Sequence, residues 1–566
     1  MPPDPVQAVL AYHQLSTHRL PNRYARSLGY LDWDTQPDPF RRYVEADGRP
    51  VETVGLAREG FSPGPTLAAI YDPGRIAPAP VDARSLARLL FDSLALSAWK
   101  RSGAQRWSLR CNPSSGNLHP TEAYPITGAI PGAGGSLATT PGVWHYTPLV
   151  HALERRASLD ARQWADLIGD GEGVLVGLTS ILWREAWKYG ERAFRYCQHD
   201  VGHALASLAY AAAALGWQTR PLVDVDDPGL AGLLGLADDP LDPEQEHADL
   251  LVFVGPRVPS RAPALPATGA MAFEGLANRL SDAHHPWPVV AQVARQCVRV
   301  GPVARADADA ADERPEPPDR GVPARASFRS RRSAVAMDGV TRLGREAWLE
   351  MLARTMPRPG QVPFASLPGP ARVHLLLFVH RVEGVEPGLY LLTRDPARAE
   401  GVRAAIGRSF EWAAVDTELG LPLVRLERAD ARQAASVIAC RQAIASDGAF
   451  AVAMLAELEP TLRERGAWSY RELHWEAGAI GQVLYLEAEA AGVRGTGIGC
   501  FFDTAIAELL GLRGAALACV YMFTVGGPVD DPRLETLPAY AELEAVPEPG
   551  PDPGPDSKPE PVPDPG

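Results

Sequence analysis

Two long stretches of the chain carry apolar and small residues nearly all the way round a helical wheel: HDVGHALASLAYAAAALG at 199–216 and HWEAGAIGQVLYLEAEAAG at 474–492. A helix of that kind has no polar face to give to solvent, so both are predicted to be central, each with a glycine at its C-cap. Each half then ends in a short apolar strand closing with Gly-Pro, LLVFVGP at 250–256 and YMFTVGGP at 521–528. HLLLFVHRV at 374–382 also predicts a strand. A Pro-Gly pair precedes a further apolar stretch in each half, Pro141-Gly142-Val143-Trp144 and Pro387-Gly388-Leu389-Tyr390. Dominant helices mixed with such strands predict an α+β class.

The two halves repeat one another. A shift of 276 residues places Asp200-Val201-Gly202 on Glu476-Ala477-Gly478, Arg195 on Arg471, Gly216 on Gly492, and Leu234-Gly235-Leu236 on Leu510-Gly511-Leu512. A period of that length is too long for a solenoid and fits two whole domains packed as an intramolecular pseudo-dimer. The organisation expected is an N-terminal arm (1–83), a first domain (84–260), a connecting segment (261–327), a second domain (328–545) and a tail (546–566). Within the connection, residues 303–325 are rich in Pro, Ala, Asp and Arg and read as a linker; the Pro-rich acidic tail buries nothing and is expected to be disordered.

Composition narrows the function classes. Of the 566 residues, 46% are apolar and 22% charged, ordinary for a globular protein with a sizeable core. The formal net charge of −14 argues against a nucleic-acid binder, which needs a basic face. No long uncharged apolar run predicts a membrane span, and no signal-peptide pattern opens the chain, so a cytoplasmic location is expected. Six cysteines (Cys111, Cys197, Cys297, Cys440, Cys500 and Cys519) stand far apart, too scattered in sequence for a disulfide scaffold or zinc knuckle. No metal is expected.

Candidate chemistry is divided between the halves. The first holds the polar run Arg110-Cys111-Asn112-Pro113-Ser114-Ser115-Gly116-Asn117, read as a loop between a helix and a strand. Its hydroxyls, amide and backbone donors suit a flat heteroaromatic ring, or else simply cap their own backbone. Lys188 and Tyr189 sit side by side and suit proton transfer if burial shifts them; the alternative is a solvated helix entry. The repeat places Glu464 and Arg465 opposite them, so the pair belongs to one copy. The second half supplies Arg329, Arg331 and Arg332 with Ser330 and Ser333, a composition that suits a phosphate. It also supplies Gly495-Thr496-Gly497-Ile498-Gly499, where bare backbone can approach a ligand, and Arg533 after the last strand. The glycines are not a dinucleotide fingerprint, because they follow a helix rather than a strand. Two complementary half-sites predict one phosphate-plus-ring pocket at the domain interface.

These residues resemble the nitroreductase superfamily, specifically its SagB-type dehydrogenases, which include azoline oxidases of peptide biosynthesis. The resemblance covers both halves and the arm at 13–43. It implies α+β domains that pair and bind FMN at their interface. Arg331 and Ser333 match the family's Arg-x-Ser phosphate element, flanked here by Arg332, and Arg533 lies near its C-terminal basic contact. Pro113, Ser114, Ser115 and Asn117 match the loop that reaches the flavin ring from the partner domain, next to Arg110. Gly495, Gly497, Ile498 and Gly499 look like the loop facing the flavin's reactive edge, and Lys188-Tyr189 match the pair associated with proton transfer. The second half has MPRPGQVPFASLPGP (356–370) in place of the Pro-Ser-Ser loop, and the first has lost the glycines, at 219–223; one competent FMN site per chain is therefore expected. The implied function is an FMN-dependent dehydrogenase acting on a small molecule or modified peptide. The alternatives are an NAD(P)H-dependent nitro or quinone reductase and a catalytically inactive peptide-binding scaffold.

Overall fold

A computed structural model describes residues 4–239, 241–267, 269–303 and 313–541. The tail at 546–566, and most of the linker's Ala/Asp run, lie outside the described residues. The two apolar stretches form long helices, α1 (Ala193–Ala213) and α2 (Ser469–Ala490), each beginning five or six residues earlier than the apolar pattern alone suggests. Among the described residues there are two seven-stranded antiparallel sheets with matching strand order. The first runs Thr53–Gly55, Ala152–Ser158, Gly142–Thr147, Thr121–Thr127, Glu172–Ile181, Glu246–Arg257, Gln218–Pro221. The second runs Ala413–Ala414, Leu423–Arg428, Gly388–Leu392, Val373–Val379, Phe450–Ala456, Ala518–Gly526, Arg494–Ile498. The 276-residue shift carries the first residue of α1 onto that of α2, and the helix Asp227–Leu234 onto Asp503–Leu510. Both of those short helices end on a left-handed glycine, Gly235 and Gly511. The fold is therefore α+β, two like halves packed as an intramolecular pseudo-dimer.

α1 and α2 pack on each other at the centre of the molecule. At their crossing a Cβ on Gly202 would overlap the Trp475 carbonyl, and a Cβ on Gly478 would overlap the His199 carbonyl. The two glycines are equivalents in the repeat; each is small because the other helix's backbone passes over it. Next to the crossing stand two equivalent ion pairs. Arg195 of the first half reaches Asp503 of the second at 2.9 Å, and Arg471 of the second reaches Asp227 of the first at 2.6 Å. Residue i contacts j while j's counterpart contacts i's, which is the signature of an isologous interface. Arg192 adds a second guanidinium to Asp503 at 2.9 Å.

The chain ends cross over. The arm's helix Pro5–Leu15 is wedged against both halves: Tyr12 donates to the Glu191 carbonyl (2.9 Å) and His13 Nδ1 meets the Tyr470 hydroxyl (3.1 Å). The His18 amide then donates to Asp503 (2.8 Å). In the opposite direction, strand Glu535–Leu537 of the second half pairs with Leu96–Ser102, the first strand of a hairpin completed by Gln105–Arg110. Tyr540 behind it donates to the Pro148 carbonyl at 2.9 Å. The described end of the linker is not free chain: Glu316 holds Arg354 and Arg358, and Ala324–Ser330 is helical.

Candidate active site at the interface of the halves

The Pro113–Asn117 loop is preceded by the strand Gln105–Arg110, not by the helix expected from sequence. Gly116 (φ 59°) and Asn117 (61°) of the loop, and His119 (52°) just after it, lie in the left-handed region, a conformation that non-glycine residues keep only when their surroundings fix it. Here hydrogen bonds fix it. Ser114 Oγ accepts from the His119 amide (2.8 Å), and Asn117 Nδ2 donates to the Ser108 carbonyl (2.8 Å) while its oxygen meets His119 Nε2 (3.0 Å). The Ser115 amide and hydroxyl both donate to Asp200 of α1, at 3.0 and 3.2 Å. Burial pushes Asp200 up to about 7, against the lowering pull of these serine bonds.

The glycine run is an edge strand, Arg494–Ile498, rather than a loop. Its outer edge carries the arginine-serine segment: the Ala334 amide donates to the Gly495 carbonyl (3.1 Å), and Thr496 Oγ1 donates to the Ala334 carbonyl (2.8 Å). The glycines are needed for space. A Cβ at Gly497 would overlap the Tyr521 hydroxyl, one at Gly499 would overlap the Tyr196 ring, and one at Gly495 would press on Phe523 at 2.5 Å.

Loop and strand face each other across a cleft of about 940 Å³ between the halves. From the first half it is lined by Arg110, Pro113, Ser114, Ser115, Asn117 and Tyr189; from the second by Arg331, Arg332, Ser333, Gly497, Ile498 and Gly499. Four sequence candidates are not in the lining; one of them, Arg329, is spent on the Phe91 and Leu96 carbonyls at 2.8 Å each. Arg533 turns to solvent and pairs with Asp531 (2.7 Å), its side chain 83% exposed. Gly495 faces Phe523. Lys188 stands behind Tyr189, its Nζ 5.3 Å from that ring's centre.

One end of the cleft is strongly basic. Arg331 is buried; its Nε and one terminal nitrogen donate to the carbonyls of Cys111 and Arg110 in the other half, each at 3.0 Å. Its remaining nitrogen, Nη1, is buried with no hydrogen-bond partner among the described residues. Arg332 is lowered to about 10 by burial and by the Arg331 charge beside it. Lys100 is lowered by burial and by Arg332 and Arg494. Crowded cations and an unused buried donor are the environment an anion relieves. Ser333 meets the Tyr485 hydroxyl at 2.8 Å, and that hydroxyl accepts the Gly497 amide at 3.0 Å.

The other end is aromatic. Tyr189 packs edge-on to Tyr196 with ring centres 4.6 Å apart, and a Cβ on Gly116 would touch its hydroxyl at 2.5 Å. Burial first, then the neighbouring Glu185 carboxyl, push the Tyr189 phenol well above the usual range, so it holds its proton at neutral pH. Glu185 itself is buried with neither oxygen partnered among the described residues, and burial raises it likewise. Asp200, Tyr196, His203, Tyr485 and Tyr521 also line the cleft and were not singled out from sequence. The one available signal was a carboxylate inside the otherwise apolar stretch at 199–216.

The equivalent position on the opposite side of the pseudo-axis is filled with protein. Phe364–Ser366, the short helical turn standing where the Pro-Ser-Ser loop is missing, packs on Gln218–Pro221, where the glycines are missing, and Thr219 Oγ1 bonds Ser366 Oγ. Glu476, the repeat equivalent of Asp200, is occupied by Arg394 and by the Arg372 amide (2.9 Å).

Among the described residues no group of side chains has the makings of a metal site, and no helix is long and apolar enough to cross a membrane. Residues 396–527 match the model of the Nitroreductase family. A solved Anabaena variabilis protein designated a nitroreductase is similar over 92% of this chain and 99% of its own, with TM-score 0.64 and 20% identity. A Clostridium novyi nitroreductase family protein matches over 37% of this chain and 86% of its own (TM-score 0.21, 13% identity). A chain of the Escherichia coli microcin synthetase McbBCD complex, bound to truncated pro-MccB17, matches over 35% and 76% (TM-score 0.26, 21% identity). No curated protein matches the chain. A segment of the second half thus matches the Nitroreductase family model, on a fold that the Anabaena variabilis protein shares along almost its whole length.

Proposed function

We propose that this chain is an FMN-dependent oxidoreductase with one flavin site, in the cleft between its halves. The observation that carries the reading is the buried Arg331, whose Nη1 has no partner among the described residues, facing a polar loop and a bare-backbone strand across one cavity. FMN is a phosphate on one end and a flat ring edged with nitrogen and oxygen on the other, and the residues present fit both ends. Arg331, Arg332 and Ser333 would hold the phosphate through charge-assisted hydrogen bonds. Ser114, Ser115 and Asn117 would border the ring on one side, and Gly497 and Gly499, without side chains, on the other. When bound, the flavin supplies hydride chemistry; everything else falls to the chain.

Asp200 keeps the loop in its left-handed shape through the two Ser115 donors. The packed tyrosines exclude water. Tyr189, with Lys188 behind it, is the group that would hold or move a proton at its phenol oxygen. A peptide-borne thiazoline or oxazoline becoming aromatic is the substrate chemistry for which we assign the Lys188–Tyr189 pair. The protonated state of Tyr189 favours a second reading, NAD(P)H-driven reduction of a nitro or quinone compound, in which the phenol donates. Titration with FMN should give a coloured one-to-one complex; a protein that stays colourless overturns the proposal. Rapid mixing with NADPH separates the two chemistries, since prompt bleaching marks the reductase. In either case the Lys188→Ala/Tyr189→Phe variant should keep its flavin and lose turnover about 100-fold or more, measured under single-turnover conditions.

A further inference from the structure

Two of the six cysteines, scattered in sequence, meet at the rim of the cleft. Cys440 and Cys500 are 60 positions apart, yet their Sγ atoms lie 2.7 Å from each other. Cys500 lines the cavity just beyond Gly499. Cys440 follows the helix Arg432–Ile438 in a left-handed conformation (φ 53°), as does Arg441 after it (φ 62°). Non-glycine residues hold that conformation only under constraint, and here the constraint is visible. The Phe502 amide donates to the Ile438 carbonyl (2.7 Å), and Gln442 Nε2 donates to the carbonyls of Cys500 (3.1 Å) and Ala439 (2.8 Å). The backbone on both sides is thus stitched together so that the two thiols face each other. Both are partly exposed, whereas Cys111, Cys197, Cys297 and Cys519 are buried.

The surroundings make the two sulfurs unequal. His18, Tyr24, Tyr189, Tyr196, Arg192, Arg441 and Asp503 are the titratable or charged groups around them. The Cys500 thiol is pulled down, first by the hydrogen bond it shares with Cys440 and then, against burial, by His18 and Arg192; the Cys440 thiol is pushed up by the same bond and by burial. A low-pKa thiol that attacks beside a second thiol that resolves is the arrangement thiol–disulfide exchange requires.

We propose that Cys440 and Cys500 form a redox-active dithiol on the rim of the cleft, oxidised by a low-molecular-weight disulfide. The Cys500 thiolate attacks one sulfur of that disulfide; its S–S bond breaks, a mixed disulfide forms on Cys500, and one thiolate departs and takes up a proton. Cys440 then gives up its proton and attacks Cys500 Sγ, closing the Cys440–Cys500 bond and expelling the second thiol. The protein loses two electrons and two protons, and the co-reactant gains both pairs and leaves as two thiols. Closure ties the end of the Arg494–Ile498 strand to the segment after Arg432–Ile438, fixing the backbone wall of the cleft. The chemistry does not depend on which cofactor the cleft holds.

The full native chain is equilibrated with glutathione buffers of increasing oxidised fraction, alkylated, digested and analysed by mass spectrometry. Two of the six thiols should disappear together into a linked Cys440–Cys500 peptide, and excess reduced glutathione should restore them. Absence of that peptide at every ratio, or equal oxidation of the four buried cysteines, overturns the proposal. Cys440→Ser should accumulate glutathione on Cys500, whereas Cys500→Ser should leave Cys440 unmodified. Should either variant fail to fold, alkylation of the unaltered protein decides: Cys500 should react at least about tenfold faster than Cys111, and equal rates refute the assignment.

Discussion

Arg331→Met should purify without flavin and bind added FMN about 10- to 100-fold more weakly than the unaltered chain. The size follows from the charge-assisted hydrogen bonds that an arginine makes to a phosphate, worth about 1.5–3 kcal/mol each. The donors of Arg331 are already partly committed. Two of its nitrogens are anchored to the Arg110 and Cys111 carbonyls of the other half, which leaves Nη1 aimed without a partner among the described residues. The guanidinium is therefore positioned before any ligand arrives, and little rotamer freedom is left to lose on binding. Arg331→Lys separates the contributions. It keeps the charge but cannot reach two carbonyls and a ligand at once, so its affinity should fall between the two. Flavin absorbance after dialysis and a fluorescence titration read both effects. Retention of flavin by Arg331→Met at unaltered affinity would remove the basic end of the cleft from the binding site.

The second large effect is on stability. Asp503→Asn should destabilise the folded chain by about 3–5 kcal/mol, because it leaves Arg192 and Arg195 buried with their charges uncompensated. The Asp503 side chain is 8% exposed, receives both guanidinium groups at 2.9 Å and accepts the His18 amide. Although burial raises it, the two arginines prevail and hold it at about 2, against an ordinary 3.8. A folded-state value below the unfolded one means the contribution is complete above about pH 4 and is lost as pH falls from 3.8 towards 2. The gap in thermal midpoint between the unaltered chain and Asp503→Asn should close over that window. Asp227→Asn, at the equivalent position, is the internal control. Asp227 faces Arg471 at 2.6 Å, one of its oxygens has no partner among the described residues, and burial outweighs Arg471 and Arg299 and raises it. Neutralising it should cost less. Equal losses for the two variants would show that the arginine count is not what distinguishes these sites.

Much of this architecture was legible in the sequence because helices buried on every side advertise themselves. The apolar runs at 199–216 and 474–492 mark α1 and α2, and the 276-residue repeat fixes the pairing of elements. Ser114, Asn117, Arg331 and Gly497 stand out by residue type and lie on one cleft. Three things were illegible for physical reasons. Tyr485 and Tyr521 sit among apolar neighbours, where an aromatic side chain reads as core until the backbone shows that it faces a cavity. Arg533 has the right chemistry, but direction is not encoded by residue type, and it turns to Asp531. Cys440 and Cys500 are brought together by backbone constraint after two different elements, and spacing along the chain carries no trace of that.

The crossing of the chain ends has a kinetic corollary. Where two separate chains built such a cleft, dilution would dissolve it; here the partner is always present at the high effective concentration of a covalent tether. Reassembly after unfolding should therefore be first order, and the yield of flavin-loaded protein should not change with protein concentration. The same fusion frees each copy from having to serve as both lender and borrower, which is why Phe364 and Thr219 could trade a second ligand position for solid packing.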